Sequence, residues 1–147
     1  MRQDDLQSLM GHYFEIAFSD QTDIVYLICV VLGEEICPIY IGESTRSIGR
    51  LGDYVKPNFT APTDFKVGEA IKHIRDTGYE VKFFYKYTNN NQRTIEEKRL
   101  INKIGAKFRL LNYLEGYDYR IALKSEERKK IQDFTDNLLN DCKNKLR

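Results

Sequence analysis

The feature that most limits what this chain can become is the run IVYLICVVL at Ile24–Leu32. Nine apolar or aromatic residues, most of them β-branched or aliphatic, read as a strand and are far too few to cross a bilayer. Gly33-Glu34-Glu35 then makes a turn, and residues 36–42 (ICPIYIG) read as a second strand. The two predict an antiparallel hairpin. Pro38 cannot donate a ladder hydrogen bond, so it belongs on an edge or at a bulge.

The rest of the chain supplies cover for that hairpin. Residues 1–22 read as a short leader with a helix near 6–10. Ser44 or Thr45 can cap a helix running to about Val55, ended by Lys56-Pro57. A second helix is expected over 64–77, where Phe65, Val67, Ile71 and Ile74 recur at near-helical spacing and Gly78 follows as the C-cap. Residues 79–88 (YEVKFFYKYT) read as a third strand, 94–104 as a third helix closed by Gly105, and 107–119 as irregular and aromatic. A charged helix is expected over 125–146, with Ile131, Phe134, Leu138 and Leu139 on one side. The order ββααβα plus a C-terminal helix predicts an α+β domain, a three-stranded antiparallel sheet packed with helices. We divide the chain into an N-terminal extension (1–22), a central domain (23–120) and a C-terminal helical extension (121–147).

Length and composition exclude several classes. At 147 residues, 41% hydrophobic and 31% charged, the chain is expected to hold one domain with its own core. Lys and Arg number 23 against 22 Asp and Glu, so a uniformly basic coat is excluded while a local basic face is not. Cys29, Cys37 and Cys142 are odd in number, with no CxxC, which argues against a disulfide framework and a zinc site. Free thiols in a reducing compartment are expected. The opening MRQDDLQSLMGHYFE places acids where a secretory signal needs an apolar run. A cytoplasmic protein with no membrane association is the expectation.

Glu97 is the most informative residue. Leu100, Ile101 and Ile104 define the buried stripe of their helix, and Glu97, three, four and seven positions earlier, lies on it; Glu96 is turned away. A carboxylate facing a core costs several kcal/mol unless it is paired or binds a cation. A metal ligand or acid–base group is one reading. A rim carboxylate favoured by the helix dipole is the other. On the first helix Arg46, Arg50 and Tyr54 share a face that differs from the apolar one of Ile48, Leu51 and Val55. A guanidinium fork with a nearby phenol suits a phosphate, although a solvated face has the same pattern. Gly42 allows close backbone approach to a ligand. Tyr26 and Tyr40 stand on the hairpin, either as proton-transfer groups or as ordinary sheet residues. Neither His12 nor His73 has a second ligand at metal spacing, and no catalytic triad or phosphate-binding loop is present.

These residues together resemble the GIY-YIG nuclease family. The segments are D-I-V-Y26, P-I-Y40-I-G42-E-S44, G-R50-L-G-D-Y54, T-I-E-E97-K-R-L-I101 and L-L-N112-Y. The YIG triplet is intact, Arg50 lies eight residues after its Gly, and Tyr54 follows four later. The first triplet departs from the pattern, being Ile24-Val25-Tyr26, and the gap from Tyr26 to Tyr40 is wide. The resemblance covers 23–119.

The resemblance implies a divalent-metal phosphodiesterase acting on DNA. Tyr26 would be the general base and Glu97 the ligand of one Mg²⁺ or Mn²⁺. Arg50 would stabilise transition-state charge. Tyr40 and Tyr54 would orient water, phosphate or Tyr26, and Asn112 would hold the site together. A domain with short additions looks more like a restriction or defence endonuclease than a homing or repair enzyme. A double-strand break would need a homodimer or sequential nicking. Candidate DNA contacts are Arg46, Lys56, Lys66, Lys72, Lys98 and Arg99, with Arg128-Lys129-Lys130 as another cluster or a solvated helix face. The rival expectation is the same fold with catalysis lost, acting as a nucleic-acid or protein interaction module.

Overall fold

The computed structural model describes residues 1–15, 23–44, 62–89, 91–115 and 125–145. The helix expected to follow a Ser44 or Thr45 cap and run to about Val55, and with it Arg46, Arg50, Tyr54 and Lys56, lies outside them. The described elements are α1 (Asp5–Met10), β1 (Phe14–Glu15), β2 (Ile24–Leu32), β3 (Glu35–Ser44), α2 (Pro62–Asp76), β4 (Glu80–Tyr87), α3 (Arg93–Gly105), a short 3₁₀ turn (Leu111–Tyr113) and α4 (Ser125–Lys145). Helix α2 starts two residues earlier than expected, at Pro62. A first-turn proline is tolerated because its missing N–H would have had no intrahelical partner.

The sheet has the order β1-β4-β2-β3, and every neighbouring pair is antiparallel. The fold is therefore α+β, but with four strands where three were expected. The extra strand is the pair Phe14–Glu15 in the leader, which lies opposite Tyr85 and Phe84 of β4. Two residues carry no readable alternation, so only the tertiary pairing reveals them.

The continuous apolar run of β2 follows from its position. It is an interior strand covered on both faces. Ile24, Tyr26, Ile28 and Val30 face a core shared with α2 (Val67, Ala70, Ile71, Ile74) and α4 (Ile131, Leu138, Leu139). Val25, Leu27 and Cys29 face a second core with α1 (Leu6, Met10) and α3 (Leu100, Ile104). His73 bonds Asp136 at 2.8 Å, and Gln132 donates to Glu69 at 3.0 Å, pinning α2 to α4. His73 is thus a helix–helix contact.

The cysteine expectation is corrected for two of the three residues. Cys37 on β3 and Cys142 on α4 are joined as a disulfide, with Cα atoms 6.1 Å apart and a sequence separation of 105. That separation left no local spacing to read. Only Cys29 remains a free thiol, and burial pushes its pKa far up. Among the described residues no helix is long and apolar enough to cross a membrane.

Candidate functional site

Strand β3 decides which side chains meet. Up to its middle it alternates regularly, Ile36 toward α1 and α3 and Cys37 toward α2 and α4. The register then shifts. Ile28 lies opposite Tyr40 while Cys29 lies opposite Pro38, so Ile39 is an extra residue. This is a bulge on an edge strand, where a proline costs no ladder bond. One inserted residue flips the phase of everything after it. With unbroken alternation from Cys37 through Ile39, Tyr40 would point toward α3. With the bulge, Tyr40 joins Tyr26 and Ile39 on the α2–α4 face. The two phenol rings lie 6.2 Å apart, tilted by 40°.

Gly42 lies opposite Tyr26. A Cβ placed there would stand 2.2 Å from both the Cζ and the hydroxyl oxygen of Tyr26. The glycine at the end of the YIG triplet makes room for the tyrosine of the neighbouring strand, not for an external ligand. Tyr26 is 3% exposed and Tyr40 8%, so the pair is enclosed.

Asn112 holds the triplet from outside. Its Oδ1 accepts from the Ile41 N–H at 3.0 Å, and its Nδ2 donates to the Ile41 carbonyl at 2.7 Å. One side chain therefore satisfies the free edge of β3 between Tyr40 and Gly42, as a neighbouring strand would. The 3₁₀ turn that carries Asn112 is fixed through Tyr113. The Tyr113 hydroxyl packs where Gly105 has no side chain and donates to the Ile101 carbonyl at 3.3 Å.

Glu97 stands apart from the tyrosines. It lies on α3, the helix covering the opposite face, on the same stripe as Leu100 and Ile104. It is half-buried and, among the described residues, makes no hydrogen bond or ion pair. Burial holds its carboxyl above the ordinary carboxylate range, opposed by the nearby charges of Lys98 and Arg93. Glu96 is the reverse case. Arg99 and Lys86 both bond it, and together they hold its carboxyl below the ordinary range against the effect of burial.

Arg93, one turn before Glu97, was not singled out from the sequence. It bonds Glu43 at the end of β3 and Asp23 just before β2. It ties the first turn of α3 to both strands of the hairpin and keeps those two carboxylates occupied. No local pattern could have found it, because its partners are 50 and 70 residues away.

The candidate DNA contacts separate into three kinds. Lys72 and Lys98 are exposed, with no hydrogen bond or ion pair among the described residues. Arg99 is bonded to Glu96 and donates to the Leu9 carbonyl at 2.7 Å. Lys66 is 7% exposed, and its Nζ lies 5.9 Å from the Tyr40 ring centroid. Burial lowers its pKa, with Glu115 acting the other way. Expected as a DNA contact, Lys66 is instead enclosed beside the tyrosine pair. In the Arg128–Lys130 cluster, Lys130 bonds Glu127 at 3.2 Å.

Glu97 suits a divalent ion. It is a half-buried carboxylate with no donor among the described residues, and a cation would relieve the cost of its charge. Among the described residues no three His, Cys, Asp or Glu side chains converge. Magnesium does not require such a cage, since it commonly takes one or two carboxylates and retains several waters. Comparison with protein families, curated proteins and solved structures gave no match.

Proposed function

We propose that this chain is a divalent-metal-dependent endonuclease of the GIY-YIG type, hydrolysing phosphodiester bonds in DNA, with a restriction or defence role. The observation that supports it best is the construction around the YIG triplet. A bulge turns Tyr40 to the side of Tyr26, Gly42 clears space for the Tyr26 ring, and Asn112 clasps Ile41 between them. A plain structural hairpin has no need of all three.

In this reading Glu97 holds one Mg²⁺ or Mn²⁺. The bound ion supplies Lewis-acid polarisation of the scissile phosphate and stabilises the leaving oxygen. Tyr26 takes the proton of the attacking water. A free phenol is a poor base near neutrality and needs a neighbouring cation. Lys66 brings one to the Tyr40 side of the pair, and Arg50 is the other candidate. Tyr40 and Tyr54 orient the reacting groups, Arg50 stabilises charge on the phosphorus oxygens, and Asn112 keeps the triplet in register. Cutting both strands calls for two copies acting together or two successive nicks.

The test is nicking of supercoiled plasmid in Mg²⁺ or Mn²⁺. Tyr26→Phe keeps the ring and should lower single-turnover cleavage by about 10²-fold or more. Glu97→Gln should abolish cleavage while folding and DNA binding persist. Arg50→Lys keeps a charge but loses the planar fork, and should reduce rate more than affinity. Full activity in Glu97→Gln would remove the metal assignment.

One observation favours a second reading, an interaction module on the same fold. Glu97 and the tyrosines are associated with opposite faces of the sheet. If the protein binds DNA but leaves plasmid intact with every divalent ion tried, that reading replaces the first.

A further inference from the structure

Beside the candidate site, β4 ends in an aromatic surface that the nuclease reading does not use. Phe14, Tyr85 and Tyr26 occupy one row across β1, β4 and β2, which Gly42 of β3 completes. The row runs from the enclosed Tyr26 outward to the sheet edge. There Phe14 stacks on Tyr85 at 5.3 Å, and Tyr87 meets both rings edge-on at 5.5 and 5.4 Å. Phe14 is 38% exposed and Tyr87 42%. Tyr87 is also one wall of an open cleft of about 250 Å³, which Lys86, Thr88, Asn89, Gln92 and Glu96 complete.

The chemistry of this cleft is specific. Thr88 anchors its wall, giving its N–H to the Asp23 carbonyl at 2.8 Å and its hydroxyl to the same oxygen at 3.3 Å. Lys86 and Glu96 pair at 3.1 Å. The amide side chains of Asn89 and Gln92 are exposed and make no hydrogen bond among the described residues. An occupant therefore meets an aromatic ring, two amides offering donor and acceptor together, and the Lys86–Glu96 ion pair. Glu96 Oε1 accepts from Lys86 and Arg99, whereas Oε2 accepts from Arg99 alone and keeps a lone pair for an exocyclic amine. Amides read adenine through paired donor and acceptor atoms, and carboxylates accept from cytosine N4. Aromatic side chains hold unpaired bases by stacking.

We infer that this cleft holds an unpaired nucleobase carrying an exocyclic amine, stacked on Tyr87 and read by Asn89, Gln92 and Glu96. The inference rests on the reading of a nucleic-acid substrate and narrows it to strands with a base out of its duplex. A base inside a duplex presents no open face to Tyr87, so blunt duplex should not use the cleft.

The test is fluorescence anisotropy with the full chain in chelator, which separates binding from cleavage. The probes are fluorescein-labelled oligodeoxyadenylate, oligodeoxythymidylate and a blunt duplex of equal length. Oligodeoxyadenylate should bind more tightly than oligodeoxythymidylate. Tyr87→Ala should weaken single-strand binding about tenfold and leave duplex binding unchanged. Tyr87→Phe should retain the affinity, since the ring is kept. Asn89→Ala with Gln92→Ala should erase the difference between the two oligonucleotides. Unchanged single-strand binding in Tyr87→Ala overturns the inference, as does an equal loss on duplex. If wild type nicks plasmid yet Tyr87→Ala binds like it, the cleft fails and the nuclease stands. If wild type discriminates the oligonucleotides but never cuts, the nuclease fails and the cleft stands.

Discussion

On the α2–α4 side of the sheet, the candidate site is settled by shape. The Tyr26 ring fills the space over Gly42, and Asn112 commits both ends of its amide to Ile41. On the α1–α3 side, Glu97 carries a half-buried charge with no donor among the described residues. Its neighbour Glu96 is held by Arg99 and Lys86. The difference separates two kinds of constraint. Groups on the first side are positioned by contacts the fold completes itself. Glu97 is left with an electrostatic cost that only something outside those contacts can remove. A site assembled from both would have a rigid half and a half completed on binding a cation.

The largest effect should come from the covalent tie on the first side. The Cys37–Cys142 disulfide closes most of the chain into a loop and joins the strand bearing Tyr40 to α4. Loop-closure entropy for such a span makes Cys142→Ser about 4 kcal/mol less stable in urea unfolding. In denaturant without reductant, alkylation should label Cys29 alone. Three labelled thiols would show that the faces are not distinguished by a covalent bond.

Gly42→Ala should come next, at roughly 3 kcal/mol, because the added methyl meets the Tyr26 ring and neither strand can withdraw from the ladder. Tyr26→Ala in the same molecule should recover part of the loss, a coupling that a double-mutant cycle measures. Simple additivity of the two changes would mean that the glycine is needed for another reason.

Asn112→Ala should cost about 2 kcal/mol by leaving the Ile41 N–H and carbonyl without their partner. Hydrogen exchange should then speed up at Ile41 while the β2–β4 ladder stays protected. Uniform loss of protection would mean that Asn112 supports the whole fold and not the triplet.

How much of this could be read from the chain depended on distance along it. The hairpin, the helix over 94–104 and the strand over 79–88 were legible because apolar periodicity is local. Glu97 was legible because it shares a stripe with Leu100, Ile101 and Ile104. Pro38 signalled an edge or a bulge, and β3 has both. What Pro38 could not signal was the consequence, that the extra Ile39 would turn Tyr40 toward Tyr26. The Cys37–Cys142 tie, the two-residue β1, the grip of Arg93 on Asp23 and Glu43, and the burial of Lys66 were not legible. Each depends on residues made neighbours by the tertiary arrangement alone.

The smallest effect is the most informative about the second side, and it is a difference of sign. Burial raises the folded-state pKa of Glu97, so the folded protein holds that proton more tightly than the unfolded chain does. Stability from this group is complete below the unfolded carboxylate pKa and is lost as pH rises through the raised folded value. Glu97→Gln should therefore leave acid stability almost unchanged and raise the melting temperature near neutrality. Glu96 runs the other way. Its lowered pKa gives stability that is present above the unfolded value and lost as pH falls through the folded one. Glu96→Gln should lower the melting temperature near neutrality and converge with wild type in acid. Both shifts should be modest, since solvent screens groups that are only partly buried. Mg²⁺ or Mn²⁺ should raise the wild-type melting temperature near neutrality by binding the folded state. That increment should vanish in Glu97→Gln and survive in Glu96→Gln. If Glu97→Gln instead destabilised the protein near neutrality and kept the response to metal, Glu97 would be a partnered carboxylate like its neighbour, and the contrast between the two sides would collapse.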